Sequence, residues 1–123
     1  MSERYIFDSG QPIYVQIVQR IKLNIASGKW AAGERVEAVR DLAVAFGVNP
    51  NTMQRALSEL EREKLMYTER TSGRFITEDE SVIQSLRHEM SIAETARYAE
   101  NMTKLGYSTT ETQNILKEMF EKV

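Results

Sequence analysis

Residues 48–57 carry hydrogen-bonding side chains at helical spacing, directly behind a strong signal for the start of a helix. Asn49 is a favourable N-cap, and Pro50 suits the first helical position, where a missing N–H group costs nothing. The side chains that face away from the apolar stripe are Asn51, Thr52, Gln54, Arg55 and Ser58, none of them acidic. The two amides on this face can pair with the edge of adenine, and the threonine hydroxyl can donate to a phosphate. The segment therefore predicts a helix that binds the major groove of DNA, although a capped surface helix with another role has the same pattern.

The flanking segments favour the DNA-binding interpretation. Upstream, apolar residues recur at helical spacing from Val39 to Phe46 and stop at Gly47, which suits the left-handed position after a helix. Two helices joined by such a short turn are typical of a helix-turn-helix motif. Downstream, residues 66–69 and 74–77 predict two short strands around a basic turn. A helix-turn-helix followed by a basic β-hairpin is a winged helix, whose second helix enters the major groove while the hairpin lies against the DNA backbone or minor groove.

The run from Gly28 to Ile76 resembles the DNA-binding domain of GntR-type bacterial transcription regulators. The matching positions include Gly33, residues 39–43, Gly47, Val48, Asn51, Thr52, residues 55–57, Leu60, Glu61, Glu63, Leu65 and residues 73–76. The order Val48-Asn49-Pro50-Asn51-Thr52, together with a short C-terminal region, resembles the YtrA-like subfamily. The resemblance implies DNA contacts by Arg40, Thr52, Arg55 and the wing around Gly73. The complete predicted DNA-binding set is Arg40, Asn49, Asn51, Thr52, Gln54, Arg55, Arg70, Ser72, Gly73 and Arg74.

Three departures from the family pattern affect local structure. Ala38 stands where a serine usually caps the second helix, and losing such a cap typically costs ~1 kcal/mol of helix stability. Lys64 replaces a common glycine after the recognition helix, and Thr71 replaces the first glycine of the wing. We therefore expect an uncapped second helix and an altered wing tip.

The composition excludes several classes of protein. The chain has 123 residues, of which 41% are apolar, enough for one modest core with an appended helical piece. It has no cysteine, so disulfides and thiolate metal sites are excluded, and His88 is its only histidine. We therefore predict no enzymatic activity, no metal and no cofactor. The first eight residues lack the apolar core of a signal peptide, and no apolar run could span a membrane, so we expect a cytoplasmic protein without a membrane partner.

The formal net charge of −2 argues mildly against a nucleic-acid partner, but its distribution weakens that argument. Residues 1–78 contain 11 Lys and Arg against 10 Asp and Glu, whereas residues 79–123 contain 5 against 8. The acids Glu59, Glu61 and Glu63 lie in the C-terminal half of the recognition helix, away from its start. We expect modest DNA affinity per monomer and a shallow dependence on salt.

After the hairpin, the sequence predicts two more helices. Residues 81–105 form a long helical pattern that ends at Gly106. Ser108 and Glu111 then form a capping box in front of a second amphipathic helix, which runs to Val123. Two such helices need another surface to cover their apolar faces, either the winged domain or a second copy of the same helical pair. We favour the second copy, in a two-fold dimer.

These predictions combine into a mostly α fold with a small β-hairpin: a winged helix-turn-helix DNA-binding domain over residues 1–78 and a two-helix dimerisation region over residues 79–123. The predicted function is sequence-specific regulation of transcription by a homodimeric repressor that occupies a two-fold operator in double-stranded DNA. The resemblance suggests control of a nearby transporter operon and identifies no small-molecule effector. Two alternatives stay open, namely a winged helix that binds protein and an architectural DNA binder without sequence preference.

Overall fold

A computed structural model describes residues 7–122, which form five helices and a two-stranded antiparallel sheet. In chain order the elements are α1 (Ile13–Ala26), α2 (Val39–Phe46), α3 (Pro50–Arg62), β1 (Met66–Glu69), β2 (Gly73–Ile76), α4 (Glu80–Lys104) and α5 (Thr109–Glu121). The predicted mostly α fold with one small hairpin is confirmed. The expectation that the first eight residues lack the apolar core of a signal peptide concerns mainly residues 1–6, which lie outside the described residues. Val123, the predicted end of the last helix, also lies outside them.

The helix-turn-helix is formed by α2 and α3, and both of these helices have clear physical boundaries. α2 ends at Gly47, whose φ of 74° is left-handed and therefore favours a residue without a Cβ atom. The N–H of Val48 then donates to the carbonyl of Ala43 at 2.9 Å, which closes the end of the helix. α3 starts immediately after its cap, with Pro50 at the first helical position. The short glycine-containing turn between the two helices is therefore present as predicted.

The core lies where α1 and α2 pack against α3, with the hairpin closing one side. The largest fully buried side chains are Ile17, Ile21, Ile25, Phe46, Met53, Leu57, Leu60 and Ile76. On α1 and α3 they recur three or four positions apart, so each of these helices buries one stripe and leaves its polar face to solvent. Fully burying an apolar side chain of this size stabilises the fold by about 1.5–3 kcal/mol. This core fixes the angle at which α3 is presented.

The hairpin gains a third extended segment that the sequence did not predict. β1 and β2 pair in antiparallel register from Met66 opposite Ile76 to Glu69 opposite Gly73. On the other edge of β2, the N–H of Val36 donates to the carbonyl of Arg74 at 2.8 Å, and the N–H of Ile76 donates to the carbonyl of Glu34 at 2.9 Å. This segment ties the wing to the chain that leads into α2.

The chain divides into two compact units at Arg87, later than the predicted boundary at residue 78. The reason is that the first two turns of α4 belong to the core of the first unit. Ile83 and Leu86 are buried there, and the Arg87 Nε donates to the carbonyl of Ala26 at 2.9 Å. The amphipathic start of α4 therefore completes the winged domain.

The second unit, from His88 onward, contains the rest of α4 and all of α5. Its predicted capping box is confirmed: the Ser108 hydroxyl accepts from the N–H of Glu111 at 3.1 Å, and the Glu111 carboxylate accepts from the N–H of Ser108 at 2.9 Å. These hydrogen bonds lower the pKa of Glu111. α5 has no buried residue: Leu116, Met119 and Phe120 are exposed and Ile115 is half-buried. Between residues 7 and 122, no helix has the length and apolarity needed to cross a membrane.

Candidate nucleic-acid interface

The start of α3 is fixed by Asn49. Its Oδ1 accepts a hydrogen bond from the backbone N–H of Asn51 at 2.7 Å, which satisfies one of the free donors at the helix start. The predicted N-cap is therefore confirmed. This hydrogen bond occupies the Asn49 carbonyl oxygen, so the side chain positions the helix whether or not it also contacts DNA.

The outward face of the first turns of α3 is polar and accessible. Asn51, Gln54 and Ser58 are exposed, and Thr52 is half-buried. The Gln54 Nε2 donates to the Ser58 hydroxyl at 3.0 Å, one helical turn further along. Ser58 thus bonds the amide nitrogen of Gln54 and not its carbonyl oxygen, and this hydrogen bond fixes the direction of the amide. The face can therefore offer amide groups to base edges at a defined spacing.

Arg55 is exposed, but it is not freely mobile. Its guanidinium carbon lies 3.7 Å from the centre of the Tyr14 ring, which is in the first turn of α1. This is the geometry of a cation–π contact. The pair was not predictable from the sequence, because nothing in the local pattern links two positions so far apart in the chain.

Arg40 lies in the first turn of α2 and is exposed. The N-cap position, Ala38, makes no side-chain hydrogen bond, so the predicted absence of a cap is confirmed. The N–H groups at the start of α2 are thus available to an acceptor from outside, next to a cationic side chain.

The wing presents an exposed tip made of Arg70, Thr71 and Ser72. Thr71 does not have a positive φ, so replacing the family's glycine there causes no backbone strain. Gly73 has a φ of 110°, and a Cβ atom at this position would lie 3.2 Å from the Nε of Arg35. Glycine is therefore favoured at this position by its left-handed backbone conformation, and a side chain there would also displace the guanidinium of Arg35.

Arg74 points inward, unlike Arg70. Its Nη2 lies 3.2 Å from a carboxylate oxygen of Glu61 on α3, and only 16% of its side chain is exposed. The hydroxyl of Thr68 donates to the other oxygen of the same carboxylate. Arg74 therefore fastens the wing to α3, and this position favours a structural role over a contact with phosphate.

The acids of α3 are each matched by a cation. Glu59 pairs with Arg62, whose Nε donates to it at 2.9 Å, and this hydrogen bond is the main reason that the pKa of Glu59 is lowered to about 2. Glu61 pairs with Arg74, and Glu63 lies 2.7 Å from the Nζ of Lys22 on α1.

In contrast, no ion pair is found within residues 7–122 for three of the predicted cations, Arg40, Arg55 and Arg70. Part of the unpaired positive charge of the first unit thus lies in the first turn of α2, on α3 and at the wing tip. A chain with net negative charge can present a cationic surface in this way.

Arg35 is a candidate that the sequence analysis missed. It is exposed and lies against Gly73 of the wing, and its backbone is opposite Phe75. The only available signal was a basic residue shortly after Gly33 and ahead of α2. That signal gives no reason to place it beside the wing, because the third extended segment was not predicted.

A helix-turn-helix with a polar outer face, followed by a hairpin with a basic tip, defines the class of winged-helix DNA-binding proteins. Residues 13–76 match the family model described as bacterial regulatory proteins, gntR family. The chain therefore belongs to the GntR family, and it is a transcription regulator with a DNA-binding domain, not an enzyme.

Similar proteins support this assignment. The chain is 31% identical over 115 residues to the uncharacterized HTH-type transcriptional regulator YhcF of Bacillus subtilis, covering 94% of this chain and 95% of that protein. It is 41% identical over 71 residues to the HTH-type transcriptional repressor YtrA of the same organism, covering 58% of this chain and 55% of YtrA. A GntR family transcriptional regulator from Listeria monocytogenes has a similar structure, with a TM-score of 0.84 and 38% identity, covering 91% of this chain and 98% of that one. The predicted resemblance to GntR-type, YtrA-like regulators is confirmed.

Proposed function

We propose that this chain regulates transcription by placing α3 in the major groove of a specific double-stranded DNA site, with the wing against the flanking backbone. The observation that carries the proposal is the distribution of charge around α3. Arg40, Arg55 and Arg70 are exposed and have no carboxylate partner within the described part of the chain. A phosphate that approaches this surface meets positive charge that no internal ion pair has neutralised.

The predicted contacts have different roles in this proposal. Asn51 and Gln54 read base edges, and Gln54 exchanges its hydrogen bond with Ser58 for one with a base. Thr52 and Arg55 bind phosphates beside the groove. These contacts divide the surface into a part that reads sequence and a part that positions the helix.

The remaining predicted residues position the helix and the wing. Arg40, Arg70 and the backbone around Ser72 and Gly73 bind the DNA backbone on either side of the groove. Asn49 keeps its role as the cap of α3. We assign Arg74 to holding the wing through Glu61, because its guanidinium is largely buried.

Charge reversal tests the proposed interface. We expect Arg40→Glu with Arg55→Glu to abolish binding to a duplex selected from a random pool by the wild-type chain, while the chain stays folded, with a loss of stability no larger than the contact of Arg55 with Tyr14 supplies. The control is Lys64→Glu with Lys122→Glu, which reverses the same number of charges at exposed positions that belong neither to the helix-turn-helix nor to the wing. The control should bind almost as well as wild type. If both double variants bind equally well, or if the first binds with wild-type affinity, the contact assignment is wrong.

We also propose that the chain works as a homodimer held together by its second unit. Six large hydrophobic side chains of that unit are more than 40% exposed: Ile92, Leu105, Tyr107, Leu116, Met119 and Phe120. Apolar surface concentrated in this way favours burial against another surface. A second copy makes the recognition helices a symmetric pair, which fits a two-fold operator with half-sites about one helical turn or a multiple apart.

Sedimentation equilibrium tests the dimer. We expect Phe120→Glu to shift the chain toward monomer, because a carboxylate cannot be buried in an apolar interface without a partner. Asn114→Glu adds the same charge to an exposed position on the opposite face of α5, and it should leave the dimer intact. A wild-type chain that sediments as a monomer at all concentrations refutes this part of the proposal.

We infer further that the dimer acts as a repressor in the cytoplasm, where its DNA is, by occupying the operator and excluding the transcription machinery. Support comes from the name of the relative YtrA, a transcriptional repressor. The YtrA-like resemblance extends this to control of a nearby transporter operon.

A promoter-reporter assay tests repression: expression should fall when the chain is present and recover with the Arg40→Glu, Arg55→Glu variant. Unchanged expression despite operator binding contradicts repression, and equal binding to unrelated duplexes indicates an architectural protein instead.

A further inference from the structure

The contact between Arg55 and Tyr14 joins the recognition helix to α1, an element outside both the helix-turn-helix and the wing. The guanidinium carbon of Arg55 lies 3.7 Å from the centre of the Tyr14 ring. Tyr14 is half-buried and Arg55 is exposed, so the pair lies at the surface. No carboxylate contacts Arg55 among residues 7–122. The ring of Tyr14 is thus the principal contact that determines where this cation lies.

The kind of contact matters for what Arg55 can still bind. A guanidinium carbon 3.7 Å from the ring centre is at stacking distance, and a guanidinium stacked on a ring keeps its N–H groups in its own plane, directed away from the ring. A carboxylate partner has the opposite effect: Arg62 on the same helix uses its Nε and one Nη to hold Glu59. Arg55 is therefore oriented without using its hydrogen-bond donors. Such an arginine is ready for a paired contact with an anion.

The direction of the side chain indicates which anion this is. The contact with Tyr14 draws the Arg55 guanidinium toward α1, and so to one side of α3. At helical spacing Asn51 lies nearest the centre of the outward face of α3, with Gln54 on one side of it and Arg55 on the other. When a helix lies in the major groove, a phosphate backbone passes along each of its flanks.

We propose that Tyr14 is a positioning residue for DNA binding: it holds Arg55 on the α1 side of the recognition helix, ready for a DNA phosphate. This inference rests on the proposed function, since it requires that Arg55 contacts DNA. Tyr14 itself acts through Arg55, and its hydroxyl is not needed. Holding a long, flexible side chain in its bound position removes an ordering cost at the moment of binding.

The expected size of the effect follows from the contact. An exposed cation–π interaction changes affinity by about two- to fivefold for each bound protomer. Loss of the ring should leave Arg55 able to reach the phosphate, but from many conformations. The affinity then falls while the number of neutralised phosphates, and so the salt dependence, is unchanged. Loss of Arg55 itself should lower both the DNA affinity and the salt dependence of binding.

The test uses the full chain and a duplex selected from a random pool by the wild-type chain. We expect Tyr14→Leu to weaken binding about two- to fivefold per protomer, Tyr14→Phe to bind like wild type, and Arg55→Ala to weaken binding more and to reduce the salt slope by about one per protomer. In the Arg55→Ala background, Tyr14→Leu should have no further effect. Leu23→Ala, another partly exposed apolar position on α1, is the control and should bind like wild type.

A series of ring-fluorinated phenylalanines at position 14 separates this role from simple packing. Fluorine keeps the shape of the ring and weakens its attraction for a cation, so binding should fall stepwise with each added fluorine. The proposal is overturned if DNA affinity does not change along the fluorinated series. It is also overturned if Tyr14→Phe weakens binding as much as Tyr14→Leu does, or if Tyr14→Leu weakens binding as much in the Arg55→Ala background as in wild type. If Arg55→Ala binds with wild-type affinity, the proposed contact of Arg55 with DNA has failed and this inference fails with it. If Arg55→Ala weakens binding and the ring series is flat, only the role of Tyr14 is refuted.

Discussion

Replacing Lys64 by glycine should stabilise the first unit. Lys64 follows α3 with a φ of 68°, and among the described residues it is the only one other than glycine with a positive φ. The turn needs this conformation, because the N–H of Lys64 donates to Glu61 and the N–H of Leu65 donates to Leu60, each at 3.0 Å. The Lys64 side chain is exposed and makes no ion pair within the described part of the chain. Its removal therefore costs no contact.

The size of the gain is a difference between two effects. A residue with a Cβ atom in the left-handed region costs about 1–2 kcal/mol, which Lys64→Gly removes. Glycine also gives the unfolded chain more freedom, which costs about 0.4–1 kcal/mol. The net gain is about 0.5–1 kcal/mol, equivalent to a rise in Tm of about 2–6 °C for a protein of this size.

Urea unfolding measures this change through the fluorescence of Trp30, the only tryptophan of the chain, which lies in the first unit. Lys64→Ala is the matched control. It deletes the same charge and side chain but keeps a Cβ atom, so it should lie within about 0.5 kcal/mol of wild type. The reasoning is refuted if Lys64→Gly is no more stable than Lys64→Ala.

Three further predictions follow from contacts of α3. Asn49→Ala should lower the unfolding free energy by about 1 kcal/mol, since it removes the cap, whereas Asn49→Asp should not; equal urea midpoints for the two variants would contradict this. Glu61→Ala should lower the unfolding free energy by about 1–2 kcal/mol, a value between those for exposed and buried ion pairs. Because Arg74 loses its partner, a protease should also cleave the wing more easily. A wing that stays resistant to the protease argues against the role of Arg74 in fastening the wing. The pKa of Glu59 is lowered from 4.5 to about 2, mainly by its hydrogen bond to Arg62. The ionised form of Glu59 therefore stabilises the folded state fully above pH 4.5, and this stabilisation is lost as the pH falls toward 2. The urea midpoint of wild type should therefore exceed that of Glu59→Gln at pH 7 and converge with it near pH 2; a constant difference across this range is the contrary result.

Local signals were sufficient to predict the elements of the fold. Gly47 and Pro50 mark the end of α2 and the start of α3, because left-handed φ and a missing N–H suit those positions, and the capping box marked the start of α5. The second strand was predicted one residue late. Its first residue, Gly73, has a positive φ that suggests a turn, yet it pairs with Glu69.

Contacts between distant parts of the chain were not predictable from these signals. The Glu61–Arg74 pair, the Tyr14–Arg55 contact and the bonding of residues 34–36 to β2 all depend on how the elements pack. The sequence identified Arg40, Arg55, Arg70 and Arg74 as cations but could not distinguish the free ones from the one that is paired and largely buried. The position of the division between the two units depends in the same way on the burial of the first turns of α4.

The central claim is that the chain reads a specific DNA sequence as a symmetric dimer. Selection of bound duplexes from a random pool by the purified chain, at near-physiological salt, tests it most directly. A motif with two-fold symmetry is the predicted result, with half-sites separated by about one helical turn or a multiple of it. A folded chain that enriches no sequence contradicts the claim.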